Sequence, residues 1–189
     1  MAMIQTVLWR SIFLPGHEYC RLSSHDAQWQ LNGIAVFTHE SLPSRLDYTI
    51  TCDATWRTLS ANVRGWLGGS MVLLNLVVDS QQHWYLNDLE QPQVYGCLDL
   101  DLNFSPSTNL LPIRRLGLSI GVQAQVTAAW LKFPGFTLEP LPQQYTHVEE
   151  NLYRYESGGG RFVADLRVNP SGFVLDYPGI WVAEAASGS

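Results

Sequence analysis

Apolar and polar residues alternate along most of this chain, and turn residues interrupt the alternation every eight to fifteen positions. Side chains of a strand point to opposite faces in turn, so this period marks strands with one buried and one wet face. Gln5 to Phe13 predicts a first strand, stopped by Leu14-Pro15-Gly16, and Glu18 to Leu22 a second. Gln28 to Thr38 predicts a third, and its Asn32-Gly33 dipeptide signals a bulge or a tight hairpin. Ser44 to Asp53 alternates cleanly through Leu46, Tyr48, Ile50 and Cys52. Thr55 to Leu67 alternates as well, with Trp56 and Trp66 on one face, and its length predicts a bent strand and a curved sheet. Met71 to Val78 is almost wholly apolar and predicts a strand buried on both faces. Gly121 to Phe133 is long enough for a helix, but its Val, Thr and Trp content favours a strand. Four short strands follow from Gln144 to Tyr177, and Gly158-Gly159-Gly160 and Asn169-Pro170-Ser171-Gly172 are turns among them. No stretch keeps a helical period.

The middle of the chain, Gly96 to Leu118, changes character within a few residues. Cys97 to Phe104 alternates Leu98, Leu100, Leu102 and Phe104 with Cys97, Asp99, Asp101 and Asn103, and so predicts a central strand. Ser105-Pro106 breaks it, and the segment closes on Arg114-Arg115. Asp99 and Asp101 would stand roughly 7 Å apart on one strand face. With Glu156 they form a candidate polar network for Arg114 and Arg115, whose planar guanidinium groups bind carboxylates through two parallel hydrogen bonds.

The whole pattern predicts an all-β chain: a single large, strongly curved antiparallel sheet forming an incomplete barrel. One domain spans 1–184, and 185–189 reads as a disordered tail. The net charge of −6, and the lack of any basic cluster beyond Arg114-Arg115, argue against nucleic acid as a partner. No run approaches the length of an integral membrane segment, and the N-terminus lacks the features of a secretory signal, so the expected location is cytoplasmic. Three widely spaced cysteines fit neither a disulfide framework nor a zinc site, and the five histidines show no metal-ligand spacing. No metal and no cofactor is expected.

Seven Trp, eight Tyr and seven Phe are the unusual part of the composition. Aromatic rings pack strand faces, and they also line cavities for apolar ligands. A ten-carbon chain gains roughly 8 kcal/mol gross on burial, against an association cost of about 4–15 kcal/mol. Useful affinity for an amphiphile therefore requires a preformed cavity, a second chain or a contact to a polar headgroup. The cavity is expected to draw on Trp56, Trp66, Leu98, Leu100, Trp130, Tyr153 and Tyr155, with Arg114 and Arg115 as headgroup contacts.

The segment GCLDLDLNFSPSTNLLPIRRLGL resembles the signature of a bacterial family named for putative glycolipid binding. The resemblance continues through Tyr48-Thr49-Ile50, Asp53, Trp56, Gln144-Tyr145, Tyr153 to Ser157 and Val174 to Gly179. It implies a fold similar to the LolA and LolB lipoprotein carriers, and binding of a glycolipid or other amphiphile without catalysis. The alternative is an enzyme acting on a small polar or lipid-linked substrate through the Asp99, Asp101, Arg114, Arg115 and Glu156 cluster. The sequence leaves the oligomeric state open.

Overall fold

The computed structural model describes residues 4–187. The first eight strands are β1 (Ile4–Ser11), β2 (Gly16–His25), β3 (Gln28–His39), β4 (Leu42–Cys52), β5 (Thr58–Leu67), β6 (Ser70–Val78), β7 (Trp84–Leu86) and β8 (Leu89–Glu90). They form an antiparallel meander. An interior segment follows: a short β9 (Asp99–Leu102), a 3-10 turn over Pro106–Asn109 and one helix, α1 (Leu110–Leu116). A second meander completes the chain with β10 (Gln123–Lys132), β11 (Thr137–Glu149), β12 (Leu152–Ser157), β13 (Phe162–Val168), β14 (Val174–Tyr177) and β15 (Trp181–Ala186).

Pairing of β1 with β15 joins the two meanders into one sheet of 15 strands. The sheet curves but does not close, because its edge strands β8 and β9 are not paired with each other. It is the expected incomplete barrel, with one departure from a purely antiparallel pattern: β9 runs parallel to β10. Parallel neighbours need a crossover connection, and α1 with its flanking turns provides it.

The interior segment fills the curve. Leu100, Leu102, Leu110 and Leu111 are buried together with Leu22, Leu46, Ile50 and Trp9 from the first meander. Ile113 of α1 packs into a second cluster with Tyr145, Tyr153 and Tyr155. The helix was not foreseen, because two turns are too few to display a 3.6-residue period. Its local logic is nonetheless present. Pro112 lies in the first turn, where a missing N–H costs little, and Gly117 ends the helix in the left-handed region at φ 52°.

Four other expectations need correction. The strand at Asp99–Leu102 is half the predicted length, and its polar positions are not wet: Asp99 is buried beside Leu100. Met71 to Val78 alternates rather than being buried on both faces. Val72, Leu76 and Val78 are inside, whereas Met71 and Leu73 are exposed, since none of the described residues covers that side of β6. Trp56 is not on β5. Asp53 Oδ1 accepts the backbone N–H groups of Thr55 and Arg57 and folds Asp53–Arg57 into a turn, so the strand starts at Thr58. The expected disordered tail begins too early, because Ala185 and Ala186 pair with Leu8 and Val7 in β15. Residues 188–189 lie outside the described residues.

Asn32-Gly33 also makes no bulge or hairpin, and β3 continues through it. Gly33 answers a different need. The ring of Tyr48, on the neighbouring β4, lies flat across it, and a Cβ at position 33 would stand 2.1 Å from Tyr48 Cζ. The bare glycine lets the Tyr48 hydroxyl cross β3 and reach Glu18 on β2.

Candidate functional site: an apolar cleft at the open end

Strand ends and hairpins divide the barrel into two ends. At one end the interior segment packs against the Asn169–Gly172 turn and the Asp53–Arg57 turn. A Cβ at Gly172 would touch Leu110 and Arg114, which shows how closely that turn sits on α1. Trp56 stacks on Trp29 with centroids 4.3 Å apart, and the Arg114 guanidinium lies 5.2 Å from the Trp56 ring. Arg115 binds Asp99 through two hydrogen bonds of 2.8 and 2.6 Å, and Asp99 is 1% exposed. This end is stoppered.

The opposite end, where the chain turns between β1 and β2, β3 and β4, β12 and β13, and β14 and β15, is open. A cleft of about 880 Å³ enters there. Volumes of roughly 300–1,000 Å³ are usual for small-molecule sites. Phe13, Phe37, Phe104, Phe133, Trp130, Tyr155, Phe162, Tyr177 and Trp181 supply most of its walls. Phe104, Phe37 and Phe136 each meet Phe133 edge-on, and Tyr155, Phe162 and Tyr177 form a mutual triad with centroids 6.0 to 6.3 Å apart. These rings hold one another in place, so the cavity is preformed. Phe13, at the tip of the β1–β2 turn, is 77% exposed at the rim.

Beside the phenols of Tyr155 and Tyr177, His39, Arg161 and Asp101 interrupt the apolar lining. Arg161 is an exposed rim residue whose Nε donates to the Gly158 carbonyl at 2.8 Å. Asp101 is set deeper. Its Oδ2 accepts from Gln143 Nε2 at 2.6 Å, and Gln143 also donates to the Tyr155 hydroxyl at 3.1 Å. Burial pushes the Asp101 carboxyl up to about 6, and the Gln143 hydrogen bond opposes that rise.

Beneath the cleft a hydroxyl network fastens the interior segment to the sheet. Ser105, which lines the cleft, places its Oγ 2.5 Å from Glu18 Oε1. The Tyr48 hydroxyl lies 2.6 Å from the same oxygen and 2.7 Å from Ser107 Oγ. Glu18 is fully buried, and its Oε2 has no hydrogen-bond partner. Among the described residues no cation compensates it, so desolvation raises its pKa to about 8, and it holds its proton at neutral pH.

The sequence-predicted site residues are therefore scattered. Trp130 and Tyr155 line the cleft. Trp56 and Tyr153 are buried toward the stoppered end, Leu100 is core, and Trp66 is 53% exposed on β5 away from the cleft. Leu98 and Arg115 border a separate shallow hollow of about 440 Å³. The polar cluster does not assemble either. Asp99 is held by Arg115, Asp101 by Gln143, and Glu156 by Arg154 and Gln144 on a different part of the sheet. With each carboxylate occupied separately, the geometry offers no shared site for the enzymatic alternative. Cys20, Cys52 and Cys97 are free, buried thiols. Among the described residues, no group of three or more His, Cys, Asp or Glu side chains is arranged to hold a metal ion, and no helix is long and apolar enough to cross a membrane.

A family profile described as "Putative glycolipid-binding" matches residues 6–183, nearly the whole chain. The chain belongs to this family. The crystal structure of a DUF1089 family protein from Pseudomonas aeruginosa is similar in fold, with a TM-score of 0.74 and 34% identity over 86% of this chain and 90% of that one. No curated protein matches.

In this member of the family the central motif, Gly96 to Leu118, forms an interior plug that borders the cavity. Most of the cleft's walls lie outside that motif. Phe13, Phe37, Phe133, Phe162, Tyr177 and Trp181 sit at or near hairpin ends. The usable signal was their place in the alternation, next to turn residues, rather than any motif.

Proposed function

We propose that this protein binds an amphiphile, with the apolar portion held in the open-end cleft. The observation that carries the proposal is the cleft itself: about 880 Å³ of preformed space, walled by interlocked aromatic rings with polar side chains set among them. An eight-carbon chain buried there gains roughly 6 kcal/mol gross. Because the rings are already fixed by one another, little of that gain is lost in ordering the walls. The family description, glycolipid binding, supports the same reading. The proposed place of this binding is the cytoplasm.

The test is native mass spectrometry of the protein purified from its own host, beside a Leu141→Trp variant. Leu141 lines the cleft, and an indole there fills the space an acyl chain would take. The expected result is a co-purifying amphiphile on the unaltered protein and none on the variant. Absence of any adduct, together with no uptake of added alkyl amphiphiles, contradicts the proposal.

A further inference from the structure

We propose that the open end of the barrel docks on a lipid bilayer through the apolar tips of its hairpins, which sets the mouth of the cleft against the surface that supplies the amphiphile. This rests on the reading of the cleft as an amphiphile site and names the partner that its rim fits.

Gly, Pro, Asn, Asp and Ser dominate ordinary turns. The open end departs from that rule. Between β1 and β2 the chain runs Ile12-Phe13-Leu14, all exposed, with Phe13 at 77%. Leu42, directly after the β3–β4 turn, is exposed as well. Trp66 and Met71 pair across β5 and β6 next to their turn, and are 53% and 63% exposed. These tips are joined. A Cβ at Gly68, in the β5–β6 turn, would stand 2.9 Å from Leu42 Cδ1. The Ile12 N–H donates to the Ile180 carbonyl at 2.8 Å, and the Thr38 N–H to the Pro15 carbonyl at 3.0 Å, so the β1–β2 tip is tied to its neighbours on both sides. Phe13 and Leu14 also line the cleft, which makes the lip continuous with its mouth.

Exposed apolar patches of this kind mark protein or membrane contacts. Charge and access select the membrane. The net charge of −6 opposes an anionic surface, but the acids are unevenly placed. Turns at the stoppered end hold Asp26, Asp53, Asp79, Glu149 and Glu150, with Arg57 as a basic neighbour. Turns at the open end hold Glu40 and Arg161, and Lys132 ends β10. The lip is thus apolar and nearly neutral, and the acidic end faces away from it. Ile120, Val122 and Val148 are exposed at the stoppered end, but they include no aromatic ring and stand close to Glu149 and Glu150. A protein partner on the lip would cover the cleft, whereas a bilayer leaves the ligand a way in. Trp66 also suits the headgroup level, where indole rings collect.

The test is flotation with phosphatidylcholine vesicles, with and without phosphatidylglycerol, beside quenching of tryptophan fluorescence by brominated phosphatidylcholine. Cleft binding of n-octyl β-D-glucoside is measured in parallel by calorimetry, and circular dichroism confirms that each variant is folded. The protein is expected to float with both vesicle types, and most of the quenching should disappear in Trp66→Phe. Leu42→Ser combined with Met71→Ser alters no residue that lines the cleft. It should lower vesicle partition about tenfold or more and leave glucoside affinity unchanged. Leu141→Trp should show the opposite, and Ile120→Ser with Val148→Ser should change neither. Absence of flotation while the glucoside still binds overturns the docking and leaves the cleft reading intact. Equal loss of flotation in the lip and stoppered-end variants overturns it in favour of non-specific adsorption. A dimer in sedimentation that the lip variant breaks, without flotation, overturns it in favour of a second copy. Flotation lost in the lip variant, with no glucoside uptake by the unaltered protein, supports the docking and removes the cleft reading.

Discussion

The two ends of the barrel are built from the same kinds of residue and put to opposite uses. Each end has aromatic rings, a buried or half-buried aspartate and an arginine. At the stoppered end the rings stack on one another and on Arg114, and Asp99 is neutralised by Arg115 through a bidentate pair. At the open end the rings surround empty space, Asp101 has only an amide for a partner, and Arg161 points to the rim. The difference comes from one element. The Phe104–Asn109 segment and the helix that follows fill the curve toward one end and stop short of the other. Composition alone does not separate a filled barrel from a binding protein; the position of the plug does.

The largest expected effect breaks the stoppered end. Arg115→Ala leaves Asp99 buried without compensation, and should cost about 3–5 kcal/mol in denaturant unfolding. The cost should shrink in a double variant that also carries Asp99→Asn, because the stranded charge is then removed.

A second effect sharpens the role of the plug. The folded protein holds the Glu18 proton up to about pH 8, whereas an unfolded chain releases it near the ordinary carboxylate value. Stability from this group is full below about pH 4.5 and is lost as the pH rises through about 8. The loss across that window is on the order of 5 kcal/mol. Asp101, raised to about 6, adds a smaller fall of the same sign at lower pH. Glu18→Gln keeps acceptor oxygen for Tyr48 and Ser105 and cannot ionise. Its unfolding free energy should change far less between pH 5 and 9 than that of the unaltered protein.

The smallest effect separates the adjacent arginines. Arg114 is exposed and contributes a cation–π contact to Trp56, so Arg114→Ala should cost about 1 kcal/mol or less. Similar losses for Arg114→Ala and Arg115→Ala would erase the distinction between a buried pair and a surface contact.

Much of the meander was readable because period-two alternation reports one buried face directly. Leu46, Tyr48, Ile50 and Cys52 are all buried, as their spacing implies. What escaped the sequence was long-range and steric. Glu18 looked like an ordinary strand carboxylate, and only the fold brings Ser105 and Tyr48 to it. Asn32-Gly33 carries a strong turn signal, but here the glycine accommodates a ring from the next strand. Residue type alone foretold that one of Arg114 and Arg115 would hold one of Asp99, Asp101 and Glu156, but only the fold selects Arg115 and Asp99. Trp56 and Trp66 could not be sorted into buried stack and exposed surface, since alternation cannot report where a strand begins.

The central claim is that the stoppered end carries stability and the open end carries binding. The most direct measurement takes Leu141→Trp and Arg115→Ala in parallel, recording the denaturation midpoint and octyl glucoside affinity for each. The account predicts that Leu141→Trp abolishes binding with a small change in midpoint. Arg115→Ala should lower the midpoint sharply yet leave the affinity of the still-folded protein close to that of the unaltered one. The reverse pattern, or equal losses of both quantities in both variants, would contradict it.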